Sequence, residues 1–364
     1  MVDQELSLFY DDRPMLSVAE LKIGLPSCDD LWLANDGSSW HQVWSEAYGS
    51  DGQAPPPVGF PRASLPELFH MLLEDRLGRW SDKLEILPMR LLLYPIQSLV
   101  SQVCEIRPLL STARSTCRIS RRPLCETSTA LRVEETKDYL RRWLEAYAEI
   151  RPKGLRQQAL SQGTLIIFNL ISLNLCISIP GVERFARELA CGNNRDADSV
   201  QEIQAFESQC IESREEALLH CGQILSIVRG TAPELRPLWC PLAIYRVAIT
   251  LWALGISSGE VTQLSTRLIP SSTREHHHFS KVAIDTLPSD HLAWRQFLRR
   301  KIGNPCVTAK NGDLIPINDT QRSLSVCTEL IEAPHAMSPL AEGVIYKLKK
   351  LAAEVAWSSE TTRV

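Results

Sequence analysis

Residues 165–179 read LIIFNLISLNLCISI, which is the most apolar run of the chain and decides the fold class. The run is too short to cross a bilayer, which takes about 20 apolar residues, and Asn and Ser side chains interrupt it. We therefore expect a buried central helix that is stopped by the Pro-Gly pair at 180–181. A long amphipathic helix over 203–228 and a second buried helix over 238–256 complete helix hairpins around a common core.

Helical signals continue on both sides of this core. Ser64 and Glu67 have the spacing of a capping box, so a helix begins there. Residues 84–103 form an apolar helix with kinks or boundaries at Pro88 and Pro95. The Tyr139, Trp143 and Tyr147 side chains recur every four residues, which is typical of a helix face buried in the core rather than of a ligand-stacking site.

Shorter helices are predicted over 289–302, 321–332 and 338–357, and β signals are confined to short pieces such as 314–317. The predicted fold class is therefore all-α, as a large irregular multi-helix bundle. A Pro/Gly-rich stretch around 51–61 separates an N-terminal anchor segment and linker, residues 1–63, from a helical domain, residues 64–364. The two could also form one continuous domain. The 364 residues, 44% of them hydrophobic, are enough for a large core.

The charge balance argues against binding nucleic acid by bulk electrostatics. The net charge is −4 and the pI is near 6.1, whereas a phosphate-binding surface needs an excess of positive charge. The arginines scattered over 106–132 are compatible with a nuclear import signal or a phosphate-contacting loop, but their wide spacing favours a solvated connection. Any DNA contact is expected to be indirect or to come from a module outside this sequence.

No residue pattern indicates catalysis, cofactor binding or a metal site. None of the eleven cysteines forms a C-x-x-C pair, so we expect free thiols and no zinc module. Successive histidines at 276–278 point in divergent directions in a loop and seldom converge on one metal. The acidic pairs 11–12 and 29–30 and the Asn318-Asp319 pair lack the further ligands of a magnesium-diphosphate site of the terpene-cyclase type. We therefore predict no catalytic residue, no cofactor-binding residue and no metal ligand. We also expect no secretory signal and no membrane span.

Two stretches of the sequence are distinctive in their residues and spacing. The first contains Phe9, Tyr10, Asp11, Asp12, Pro14, Leu16, Leu21, Leu25, Pro26, Cys28, Leu31, Trp32, Ala34 and Trp40, and the second, near the other end of the chain, contains Trp294, Phe297, Leu298, Gly303, Asn304 and Pro305. The first stretch resembles the centre of the fungal-specific transcription factor domain, in the branch that usually follows a pair of C2H2 zinc fingers. The second resembles a further segment of the same branch, and the resemblance implies that the helical domain, residues 64–364, is regulatory.

The resemblance implies a nuclear, non-enzymatic regulator of transcription, often of a metabolic or secondary-metabolite gene set. It implies protein partners, either co-regulators or a homo- or heterodimer, and no cofactor except zinc in fingers that would precede this sequence. Since no finger motif is present, DNA binding by the chain itself is not expected. The alternative is a soluble helical enzyme or binding protein of a biosynthetic pathway. From the residues themselves, we expect the bundle 165–256 to support the surface for partner docking.

Overall fold

The computed structural model describes most of the chain, and thirteen α-helices and a three-stranded sheet lie in the described part. The mostly helical fold class is thereby confirmed, and the small sheet is an addition to it. The described residues are 2–10, 20, 24–25, 31, 34–48, 64–78, 84–116, 124–152, 154–190, 199–268, 281–288, 291–332 and 338–361.

The helices are numbered here in chain order, and a short 3-10 turn lies between α9 and α10. They are α1 (Val2–Tyr10), α2 (Gly37–Tyr48), α3 (Leu65–Leu73), α4 (Ile86–Thr116), α5 (Leu124–Ala148), α6 (Gly154–Cys176), α7 (Ile179–Ala190), α8 (Ser199–Cys210), α9 (Arg214–Gly230), α10 (Cys240–Leu268), α11 (Leu292–Arg300), α12 (Thr320–Ile331) and α13 (Pro339–Thr361). The strands are β1 (Lys281–Ala283), β2 (Asn304–Thr308) and β3 (Leu314–Pro316), with β1 parallel and β3 antiparallel to the central β2.

The chain divides into two compact units. The first comprises Met1–Gln102 and Ala130–Thr164, and the second comprises Val103–Thr129 and Leu165–Val364. Helices α4, α5 and α6 each contribute residues to both units. The domain boundaries predicted from the sequence, 1–63 and 64–364, stay a prediction.

In the first unit, polar contacts attach the N-terminal helix α1 to α4. Arg90 forms an ion pair with Glu5, and the Gln97 side-chain amide donates to the Gln4 carbonyl oxygen at 3.2 Å. Leu8 is buried beside these polar contacts. The residues of the first resemblance stretch between α1 and α2 mostly lie outside the described residues, including Trp32.

Local sequence signals explain how the helices of this unit begin and pack. Glu67 accepts a 2.7 Å hydrogen bond from the Ser64 backbone N–H, which confirms the predicted capping box at the start of α3. This hydrogen bond lowers the pKa of Glu67. Trp143 and Tyr147 are buried and stacked, with ring centroids 4.7 Å apart, so these two members of the predicted aromatic face lie in the core.

The second unit is built around α10. This helix packs against α7, α8, α9, α12 and α13, and its residues from Val247 to Leu254 are all buried. The predicted buried helix over 238–256 is therefore confirmed, although α10 extends further, to Leu268. Among its buried residues, Arg246 donates to the Asn174 side-chain oxygen of α6 at 3.2 Å.

Two predicted helices differ from the structure. The expected long helix over 203–228 is in fact two helices, α8 and α9. The chain between them hydrogen-bonds to the segment at the end of α6. The Ser178 N–H donates to the Cys210 carbonyl oxygen, and the Glu212 N–H donates to the Cys176 carbonyl oxygen, both at 2.8 Å. Of the kinks or boundaries expected at Pro88 and Pro95, a boundary at Pro95 is excluded, since α4 runs continuously from Ile86 to Thr116, and Pro88 lies in the first turn of this helix. Pro180 lies in the first turn of α7, where a proline is tolerated.

Two helices are long and apolar enough for a membrane span by length and composition alone. They are Gly154–Cys176 and the first part of α10, Cys240–Ser257. Their most apolar windows are 67% and 78% buried inside the protein, as the core helices of a globular protein are. The expectation that the chain does not enter a membrane stays a prediction.

Trp143 and Trp294 are both fully buried but differ in the hydrogen bonding of their indole N–H groups, so they allow a test of what one hydrogen bond contributes to stability. The Trp143 indole N–H donates to the Met89 carbonyl oxygen at 2.8 Å, whereas the buried Trp294 N–H has no partner among the described residues. Both phenylalanine replacements remove similar volume, but only Trp143→Phe removes a hydrogen bond. We expect Trp143→Phe to cost about 1 kcal/mol more than Trp294→Phe in urea unfolding. Equal losses would show that the Trp143 hydrogen bond contributes nothing net.

Candidate functional site

The sheet of the second unit lies close against two helices, and each close approach is made at a glycine. A Cβ at Gly222 of α9 would overlap the Ile284 carbonyl oxygen and come within 3.1 Å of the Ile284 Cβ. A Cβ at Gly255 of α10 would likewise overlap the carbonyl oxygen of Ile317. Backbone is thus packed on backbone, so the sheet and the helices form one closely packed support.

A buried carboxylate fastens β2 to this support. Asp285 is 2% exposed, and its two oxygens accept from the Thr308 backbone N–H at 3.0 Å and the Thr308 hydroxyl at 2.9 Å. Arg229 of α9 pairs with the same carboxylate at 2.9 Å and also donates to the Thr308 carbonyl oxygen. Charge-assisted hydrogen bonds of this kind are about twice as strong as neutral ones, so β2 is held firmly to the end of α9.

Helix α11 lies against this support, contacting α9 and β1. Trp294 and Phe297 are buried and meet edge to face with ring centroids 5.7 Å apart. At its start the His291 ring nitrogen Nδ1 accepts from the Ala293 N–H at 3.2 Å. At its end Lys301 adopts a left-handed conformation, with φ of 56°. The aromatic pair of the second resemblance stretch therefore fixes which side of α11 faces outward.

The outward side of α11 carries positive charge between two exposed apolar side chains. Leu292, Arg295 and Arg299 share one side of the helix by their spacing, away from Trp294 and Phe297, and Arg300 is exposed at the end of the helix. Leu292 is 66% exposed, and Ile302, just beyond the helix, is 47% exposed. This set is named here the α11 basic face, and it is defined by Leu292, Arg295, Arg299, Arg300 and Ile302.

The arginines of the α11 basic face have no ion-pair partner among the described residues. The adjacent Lys301 does have one, since its Nζ lies 3.2 Å from Glu215 of α9. Arg295 and Arg299 are one helical turn apart, where like charges repel by about 0.2–0.5 kcal/mol. Within the described part of the chain, three guanidinium groups are therefore available to an anionic partner.

Sequence reasoning placed a helix over 289–302 but did not select the α11 basic face. The signal was present in the order Arg295, Arg299, Arg300, Lys301, which is dense enough to notice. Its meaning depends on which side of the helix is buried, and that side is set by Trp294 and Phe297. The structure thus adds a basic surface at α11 to the scattered arginines over 106–132.

The other features that the sequence analysis considered contribute no site within the described residues. Asp319 caps α12 by accepting from the Arg322 N–H at 3.2 Å, so its role is structural. In the described part, no group of three or more His, Cys, Asp or Glu side chains could hold a metal ion. The histidines at 276–278 and the acidic pairs at 11–12 and 29–30 lie outside the described residues.

The buried cysteines are poor nucleophiles. Burial raises the pKa of Cys327 to about 12 and that of Cys240 to about 11. Burial, reinforced by the neighbouring Cys327 and Cys176 thiols, also raises the pKa of Cys221 well above its usual value. Because the thiolate is the reactive form, these groups behave as small core side chains.

Alkylation tests this assignment. Cys221 and Cys327 are expected to remain unmodified by iodoacetamide at pH 8 in the folded protein, because both are buried and protonated. Peptide mass spectrometry after timed quenching measures the modified fraction at each cysteine, and the guanidinium-unfolded chain supplies the reference rate. Modification of the folded protein at the unfolded rate would contradict the burial of these thiols.

Curated relatives of the chain are proteins named as transcription factors. A transcription factor of Zymoseptoria tritici is 33% identical over 346 residues, covering 91% of this chain and 34% of that protein. Transcription factor 1 of Elsinoe fawcettii is 30% identical over 354 residues, covering 96% of this chain and 34% of that protein. The chain spans about a third of the length of these relatives. No family model matches the chain, and no solved structure matches it.

Proposed function

Because this chain is homologous over nine tenths of its length to a region of proteins named as fungal transcription factors, we propose that it is the regulatory part of a transcriptional regulator. The similarity is the observation that carries the proposal. The shared region makes up about a third of each relative. The proposed activity is therefore that of a helical region acting within a transcription factor, and it is not enzymatic.

Protein contacts are the proposed mode of action. The net charge of −4 disfavours tracking a DNA backbone by bulk electrostatics. Helix α9 and the first part of α10 lie within the bundle 165–256, and they form with the sheet the support on which the α11 basic face is displayed. DNA contact would then come from a separate zinc-containing module or a partner, and the chain would work in the nucleus.

The proposed targets are genes of a metabolic or secondary-metabolite pathway. Support comes from the family resemblance of the two stretches around Trp32 and Trp294. If the protein regulates one pathway, we expect the responding genes to be few, to change together and to lie near the gene for this protein.

Transcript profiling tests the proposal. The gene is deleted in the organism that encodes it, transcripts are measured genome-wide, and the full gene is then restored. A coordinated set of transcripts is expected to change and to return on restoration. Unchanged transcripts together with an altered metabolite would overturn the proposal and favour an enzyme or binding protein of the pathway.

A further inference from the structure

We propose that the α11 basic face binds an acidic amphipathic segment of a partner protein. Carboxylates of that segment would pair with Arg295, Arg299 and Arg300, and its apolar side chains would cover Leu292 and Ile302. The inference names the kind of partner for the proposed regulatory region and rests on that proposal for its biological role. The similarity to transcription factors does not itself assign a role to this surface.

Charge complementarity carries the argument. Three exposed arginines lie on a nine-residue helix that contains no carboxylate, and two of them, Arg295 and Arg299, are one turn apart on the same side. Arginine presents a planar fork of donors that matches a carboxylate with two parallel hydrogen bonds. The mutual repulsion of Arg295 and Arg299 is relieved when carboxylates are placed between them. A ligand with acidic side chains therefore gains both attraction and relief of repulsion.

The helix dipole does not explain the whole set. Cations in the last turn of a helix interact favourably with its negative end, and Arg299 and Arg300 are in that turn. Arg295 lies a full turn earlier, where this effect has faded, and it has no carboxylate partner among the described residues. A stabilising role at the helix end thus leaves Arg295 unexplained.

The apolar members of the face distinguish a protein segment from a nucleic acid. Leu292 and Ile302 are large, exposed and close to the arginines in sequence. A phosphate backbone offers nothing to cover them, whereas apolar side chains of a peptide would bury them at about 25 cal/mol per Å². Arginine is also among the residues that are enriched at protein interfaces. These observations favour a peptide over a DNA or RNA backbone.

The surface is also preorganised. The buried Trp294 and Phe297 hold α11 in place, and the tight support beneath it limits backbone movement on binding. Binding therefore orders only the long arginine side chains on the protein side, at about 0.5–1.5 kcal/mol each. A moderate affinity with strong salt dependence follows from this balance, because exposed charges are screened by salt.

The binding test uses synthetic probes and the whole chain. The first probe is a fluorescein-labelled peptide in which pairs of Asp and Glu alternate with pairs of Leu and Phe. The second replaces the acids with Asn and Gln, the third replaces the apolar residues with Ser, and the fourth is a short DNA duplex. Fluorescence anisotropy is expected to give the tightest binding for the first peptide, weakened by added salt.

Three variants locate the binding. The triple change Arg295→Glu, Arg299→Glu and Arg300→Glu is expected to weaken binding of the first peptide by about tenfold or more. The change Leu292→Ser keeps the charges. It is expected to weaken binding of the first peptide but not binding of the third, which has no apolar residues. The matched control reverses three exposed arginines of the other unit, Arg132, Arg151 and Arg156, and should leave binding almost unchanged.

Several results would overturn the inference. Equal weakening by the control triple would show bulk electrostatics rather than a site. If the third peptide bound as tightly as the first, the apolar side chains would contribute nothing to binding. If the DNA duplex bound more tightly than the first peptide, the face would be a nucleic-acid surface. Absence of peptide binding by the folded wild-type chain would also overturn it. Helical circular dichroism and the unfolding midpoint confirm that the variants, all at exposed positions, remain folded.

Failure of this inference and failure of the proposed function give different results. If the first peptide does not bind while gene deletion changes a coordinated set of transcripts, the regulator proposal stands and the α11 basic face is not its partner site. If the peptide binds at this face while transcripts are unchanged, the surface is real but serves another process.

Discussion

Replacing Gly222 with alanine is expected to destabilise the second unit by about 3 kcal/mol, the upper end of what overpacking a core costs. The added methyl would overlap the Ile284 carbonyl oxygen, which is backbone and cannot rotate away. Ile284 is itself held by a 2.9 Å hydrogen bond from its N–H to the Cys306 carbonyl oxygen. Either α9 must move outward or the β1–β2 pairing must open, and both lose buried contacts.

A second glycine in the same helix provides the matched control. A Cβ at Gly230, the last residue of α9, meets nothing within 4 Å. Gly230→Ala is therefore expected to be neutral or to stabilise by up to about 1 kcal/mol, because alanine is the better helix former. Urea unfolding followed by circular dichroism compares the two variants. Equal stability of Gly222→Ala and wild type would contradict the close approach of α9 to Ile284.

Replacing Asp285 with alanine is expected to cost about 3–5 kcal/mol, because it leaves the partly buried Arg229 without its carboxylate. The Thr308 N–H and hydroxyl lose their acceptor in the same step. Asp285→Asn keeps the side-chain shape and one acceptor oxygen but not the charge. Its loss is expected to be smaller, so the order of stability should be wild type, then Asp285→Asn, then Asp285→Ala.

An exposed ion pair in the same unit serves as the comparison. Glu332 pairs with Lys349 at 2.8 Å, and both side chains are open to solvent. Removing the charge by Glu332→Gln is expected to change the free energy of unfolding by no more than about 1 kcal/mol. If Asp285→Ala cost no more than Glu332→Gln, the buried pair would not fasten β2 to α9 as described.

The helices with clear periodicity were predictable from sequence. Helix α13 was expected over 338–357 from apolar positions that include Val344 and Leu348, and both are buried in the structure. Helix α12 was expected over 321–332 and lies at Thr320–Ile331. In these segments the local pattern and the tertiary packing favour the same structure.

Elements that depend on distant contacts were not predictable in this way. The parallel pair β1–β2 joins residues 281–283 to 304–306, and three residues of strand carry almost no periodic signal. Strand β3 was anticipated at 314–317 from its local pattern. The break between α8 and α9 depends on hydrogen bonds to the end of α6, although Ser213 followed by Glu215 and Glu216 is a helix-start signal that could have indicated it.

The candidate site illustrates the same limit. Sequence reasoning found no catalytic or metal residue, and it found the Trp294 and Phe297 pair through family resemblance rather than through packing. The α11 basic face is a property of the outward side of a helix, and that side is known only when the buried pair is placed. A surface of this kind is therefore recognised from the exposure and charge of its side chains, not from a sequence motif.

The most direct test of the central proposal is transcription from a reporter to which this chain is tethered. The 364 residues are fused to an unrelated DNA-binding domain, at a promoter whose basal activity allows a rise or a fall to be measured. The fusion is expected to change transcription relative to the DNA-binding domain alone, and Gly230→Ala is expected to retain this change. Reporter transcription equal to that of the DNA-binding domain alone, from a folded fusion in the nucleus, would contradict the proposal.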